Sequence, residues 1–132
     1  NNMTNIPLDR TRAAHALKMV EAIKGKKFAS SYRSYVERLG PMIISNGLGM
    51  AIAMETSYKG GSDNNSNEEV GHGELLKTLK EWLDERKICN KSKDDIIVQL
   101  VTWDQDKYIL AQMEVLSYLE WLKKFCRAYI KR

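Results

Sequence analysis

Few side chains in this sequence have the types and spacing that chemistry demands. The two histidines, His15 and His72, have no cysteine or carboxylate at metal-ligand spacing, and no His-Glu-x-x-His segment occurs. His15 reads as a surface or half-buried helix position. Gly47-x-Gly49 lacks the lysine and the preceding strand of a phosphate loop. Glu81, Asp84 and Glu85 are interleaved with Lys77, Lys80 and Arg86, the pattern of a salt-bridged outer helix face. Asp63, Asn65, Asn67, Val70 and Glu74 fall at positions like those of an EF-hand loop. The sixth position, where glycine makes the sharp turn, is Glu68 instead, so an Asn-rich loop is the better reading. Cys89 and Cys126 lie far apart and form neither a disulfide framework nor a metal site. The expectation is therefore no catalytic residues, no metal and no cofactor.

Charge is more informative. The chain carries +4 at neutral pH, with a pI near 9.0, and its sign is uneven. Nine basic residues face four acidic ones up to Lys59, residues 60–90 are net acidic, and the chain closes on Lys123, Lys124, Arg127, Lys131 and Arg132. Such asymmetry suits a surface that faces a polyanion. Cations placed for a helix C-terminus and a solvated face would look the same, and charge alone leaves both readings open.

The elements that must position these charges read as helices almost throughout. Ala13, Ala16, Leu17, Val20 and Ile23 form a stripe with the helical period, ended by Gly25. Phe28, Tyr32, Tyr35, Val36 and Leu39 form a second. Gly40-Pro41 is expected to break that helix, with Pro41 opening the next. The apolar stretch "GPMIISNGLGMAIA" then reads as helix, with Ile44, Leu48, Ala51 and Ile52 on one stripe. A mobile polar loop is expected over about residues 59–73. Leu75, Leu76, Leu79, Trp82 and Leu83 mark a further helix. Ser92 and Asp95 suggest a capping box for a short helix carrying Ile96, Ile97, Leu100 and Val101. Asp104 can cap a last helix that buries Ile109, Met113, Leu116, Leu119, Leu122 and Phe125. These elements predict an all-α fold, a compact bundle of about five or six helices forming a single domain over residues 1–132. Asn1 and Asn2, ahead of Met3, are set aside from this reading. The first residues lack the pattern of a secretory leader and no apolar run reaches the ~18–20 residues of a membrane span, so a cytoplasmic chain is expected.

Gly47 and Gly49 are each followed four residues later by alanine, a small-residue pairing that lets a neighbouring backbone approach closely. Each interior glycine costs roughly 1 kcal/mol against alanine, which such an approach would offset. Asn46, Gly47 and Gly49 are thus candidates for a tight helix crossing or an interface.

Three blocks carry a family likeness: "LDRTRAAHALKMVEAI", "GPMIISNGLGMAIA" and "YILAQMEVLSYLEWLKKFCRAYI". Together they resemble the small subunit of the Cmr complex, the type III-B CRISPR RNA-guided effector. The resemblance implies a non-catalytic, all-helical subunit whose copies stack into a filament against RAMP-fold subunits, beside the large subunit, with a basic face along the guide RNA–target RNA duplex. It fixes no particular lysine. Placement nominates Arg10, Arg12 and Lys18 on the first helix and Lys123, Lys124 and Arg127 on the last as RNA-binding residues. The rival readings are a stand-alone helical adaptor that binds another protein without nucleic acid, and a small helical nuclease, for which catalytic residues are lacking.

Overall fold

Helix after helix follows from apolar side chains spaced for one face. The structure, a computed structural model, describes residues 6–61 and 64–132. Among these, six helices and no strand occur: α1 Leu8–Ile23, α2 Ala29–Asn46, α3 Leu48–Tyr58, α4 Asn67–Glu85, α5 Ile96–Leu100 and α6 Gln105–Tyr129. The all-α bundle expected from the sequence is therefore observed. No helix among the described residues is long and apolar enough to cross a membrane.

The first and last helices pack chiefly on each other, while α4 packs on α2 and α3. At the centre Trp82, Tyr32 and Tyr118 are fully buried with Leu39, Leu75, Leu79, Leu83 and Leu122. Each such leucine contributes roughly 1.5–3 kcal/mol by leaving water. Trp82 and Tyr118 stack at 5.2 Å between centroids, 12° from parallel. All five residues expected to face inward from the "ELLKTLKEWLDERK" helix are buried.

Several expected boundaries and faces are corrected. Helix α2 runs through Gly40-Pro41 to Asn46. Proline normally drives the preceding residue out of the helical region by a clash with its Cβ; Gly40 has none, so the helix continues. The break falls instead at Gly47, whose φ of 85° and ψ of 159° lie in a region almost confined to glycine. It ends α2 and begins α3, and the change of direction leaves Ile44 76% exposed while Ile43 is buried.

The expected loop is shorter than residues 59–73, because α4 starts at Asn67. Ser66 Oγ accepts from Glu69 N–H at 3.1 Å and Glu69 Oε1 accepts from Ser66 N–H at 2.9 Å, a reciprocal cap that sequence reading had passed over. The Ser92–Asp95 box does not form: Asp95 makes no side-chain cap and instead holds Lys59 at 2.6 Å. Asp104 does cap α6, accepting from Lys107 N–H at 2.9 Å. The buried face of α6, however, is Ala111, Glu114, Val115, Tyr118, Leu119, Leu122 and Cys126, leaving Ile109 and Met113 exposed.

Candidate nucleic-acid interface

Four of the six nominated cations are held by carboxylates. Arg12 donates to both oxygens of Glu114, at 2.7 and 3.0 Å, and lies 3.3 Å from Asp9. Its side chain is only 17% exposed, which makes it part of the fold's interior rather than an open contact. Arg127 donates to Glu37 at 2.8 Å, and Arg132 reaches the same carboxylate at 3.3 Å. Lys123 and Lys124 lean on Glu120 at 3.4 and 3.7 Å, but Lys124 stays 65% exposed. Arg10 and Lys18 are exposed on α1 and form no ion pair among the described residues. Trp121 Nε1 donates to Asp9 at 3.0 Å, tying α6 to the start of α1 beside Arg10. Lys124 lines the hollow there, about 400 Å³, with Asp9, Ser117, Glu120 and Trp121. Lys124 thus belongs to the α1–α6 junction, while Arg10 and Lys18 are exposed on α1.

An aromatic row that sequence reading missed runs beside these cations. Trp121, Phe125 and Tyr129 follow one another along α6 at 5.9 and 6.5 Å, with Lys24 Nζ 6.0 Å from the Tyr129 ring. Their spacing of four was the available signal.

The polar groups inside the bundle form fixed networks. Glu114, on α6, accepts from Arg12, from Trp82 Nε1 at 3.0 Å and from Arg86 at 3.2 Å. Burial alone would raise its carboxyl; the hydrogen bonds from Arg12 and Trp82, the Arg12 charge and the Arg86 bond outweigh it and hold the group below its ordinary value. His15, expected at a surface or half-buried position, is buried, with Nδ1 2.7 Å from Tyr118 Oη and its ring 5.3 Å from that of Trp82. Burial lowers its pKa against the opposing charges of Glu85 and Glu81. His72, without a partner in sequence, has Glu55 Oε1 at 2.7 Å and lies flat on Tyr35 at 3.6 Å. The outer face of α4 is not the expected ladder of intrahelical bridges: Arg86 turns to Glu114, and Asp84 accepts from Lys91 N–H.

The glycines act differently from the expectation. A Cβ on Gly49 would meet Tyr108 Oη at 3.3 Å, and one on Gly47 would meet the same atom at 3.3 Å. What comes close is a side chain, not a backbone. Tyr108 Oη accepts from Gly49 N–H at 2.8 Å and Gln112 Oε1 from Leu48 N–H at 2.9 Å, so α6 satisfies the open N–H groups of α3. Asn46 is exposed beside them. The close helix approach occurs at Gly71 instead, where a Cβ would lie 3.0 Å from Tyr35 and 3.2 Å from the Tyr32 backbone nitrogen.

The features together define a small, net-basic helical bundle with polar networks sealed inside and its freest nominated cations on the first and last helices. A family model described as "CRISPR-associated protein (Cas_Cmr5)" matches residues 8–129. The chain belongs to this Cmr5 family, which bears out the likeness to the small subunit of the Cmr complex. Its fold is similar to the X-ray crystal structure of a CRISPR-associated Cmr5 family protein from Thermus thermophilus, with a TM-score of 0.75 at 20% identity, over 96% of this chain and 100% of that one.

Proposed function

We propose that this chain is a non-catalytic structural subunit of a type III-B CRISPR ribonucleoprotein. It stacks with other copies of itself in a filament beside the guide RNA–target RNA duplex, next to RAMP-fold subunits and the large subunit, in the cytoplasm. The observation that carries this reading is membership of the family over nearly the whole chain. The exposed Arg10 and Lys18 support the RNA contact, because unpaired surface cations neutralise phosphates without first breaking an internal pair, and Lys124 adds to them through a long, solvent-exposed pair with Glu120 that is readily given up. Arg12 supports the bundle itself. Lys123 and Arg127 reach RNA only by sharing their carboxylate partners.

A specific observation favours a protein-binding role as well. Ile44, Met50, Ile109 and Met113 are 76, 57, 47 and 63% exposed. In the filament reading such apolar side chains meet neighbouring subunits; in the adaptor reading they meet one unrelated protein. Pull-down of the tagged chain from its native host, with sequencing of bound RNA and identification of proteins, separates the two. Recovery of RAMP-type subunits with short guide RNAs is the expected result. One unrelated protein and no RNA would overturn the proposal.

A further inference from the structure

A second group of cations gathers away from α1 and α6. Lys59 at the end of α3, Lys77 and Lys80 on α4, and Asp95 at the start of α5 line a recess of about 120 Å³. The three-residue step from Lys77 to Lys80 points both ammonium groups to one side of α4. Leu76 and Ile96 give the recess an apolar wall, against which charges interact more strongly than in open water. One carboxylate serves the three cations: Lys59 Nζ lies 2.6 Å from Asp95 Oδ2, which fixes that ammonium in place. Among the described residues Lys80 Nζ reaches the Lys93 carbonyl oxygen, at 3.5 Å, and neither Lys80 nor Lys77 forms an ion pair. Two ammonium groups from one helix therefore line a partly enclosed space whose one carboxylate, Asp95, is already paired with Lys59.

Ammonium groups offer donors and no acceptor, so the complementary ligand is an anion rich in acceptor oxygens. We propose that this recess binds a phosphate group, with Lys77 and Lys80 as its principal donors and Lys59 held alongside by Asp95. That the phosphate is an internucleotide one of RNA rests on the functional reading above; a free phosphate would use the same donors. This contact is separate from the α1–α6 junction, so RNA meeting both would run across two sides of the bundle.

The test uses the full chain. Isotope-labelled protein is titrated with inorganic phosphate, reading the amide signals of Gly73 and Ile96. Affinity for a short single-stranded RNA is then measured for Lys77→Ala/Lys80→Ala and for Lys26→Ala/Lys27→Ala, which removes equal charge from the exposed turn after α1. Saturable shifts at Gly73 and Ile96 are expected. The recess variant should weaken RNA binding about five-fold or more, with a salt dependence shallower by about 1.4 in slope, against less than about two-fold for the control. If RNA binds the wild type and the two variants weaken it equally, the recess contact is overturned. If RNA does not bind at all, the functional reading fails, and saturable phosphate shifts would then assign the recess to a free phosphate. Absence of both RNA binding and saturable shifts overturns the inference.

Discussion

Replacing Glu114 by alanine removes the acceptor on which three donors from two other helices converge. Trp82 is wholly buried, so its indole N–H would be left without a partner at a cost of about 1–3 kcal/mol. Arg12 loses two charge-assisted bonds, but its side chain is 17% exposed and can recover water, which reduces that loss to roughly 1–2 kcal/mol. Arg86, 34% exposed, adds little. The total is about 2–5 kcal/mol, overlapping the range found when one member of a buried ion pair is removed. Against a typical stability of about 5–15 kcal/mol this is a large fraction. Denaturant unfolding followed by tryptophan fluorescence and circular dichroism measures it. Glu114→Gln keeps an acceptor for Trp82 and should lose about half as much.

The pH dependence has a definite sign. Glu114 is held below its ordinary value of 4.5 in the folded chain, so the native state favours the charged form. Its contribution is fully present above about pH 4.5 and is lost as pH falls through the lowered folded value. Glu114→Gln should flatten that acid limb of the stability curve. A Glu114→Ala loss under about 1 kcal/mol, with an unchanged acid limb in the glutamine variant, would refute the network as a source of stability.

Other expectations concern the α3 junction and the thiols. Gly47→Ala forces a Cβ into a glycine-only conformation 3.3 Å from Tyr108 Oη, and thermal melting should show a loss of about 1–3 kcal/mol. Tyr108→Phe removes the acceptor for Gly49 N–H; a loss of about 0.5–1.5 kcal/mol is expected, with faster hydrogen exchange at that amide. Burial raises the thiols of Cys89 and Cys126 to about 11 and about 12, so both should resist alkylation at neutral pH until denaturant unfolds the chain. Rapid labelling of the native protein would contradict that burial.

Much of the fold was legible because periodicity reports burial directly. The α4 stripe from Leu75 to Leu83 could be read residue by residue, as could the Asp104 cap. The α6 face was misread because apolar residues occur around most of that helix, and what selects the buried side is polar. Glu114 and Tyr118 turn inward because Arg12, Trp82, Arg86 and His15 await them from elements far away in sequence. A one-dimensional pattern counts a glutamate as exterior and cannot see its donors. Gly40-Pro41 carried two opposing signals, and the missing Cβ at Gly40 decided the outcome. The nominated cations were legible as charges, and the Glu120 pairs with Lys123 and Lys124, three and four residues apart on one helix, could have been read too; the freedom of Arg12 and Arg127 could not, since Glu114 and Glu37 claim them only once the helices are assembled.

The dependence of α1 and α3 on α6 also bears on how the chain is made. Arg12, His15 and the first N–H groups of α3 all find their partners on the last helix. A ribosome delivers α6 after the other five helices. Until it emerges, the nascent chain holds an unpaired guanidinium, an open helix start and the bare inner faces of α1 and α2. Folding of this bundle therefore waits for α6 to emerge, and because the principal contact of α1 is with a helix far along the sequence, it should be slower than the local contacts of most helical bundles allow. During synthesis the unfinished chain is a natural client for chaperones that shield apolar helices.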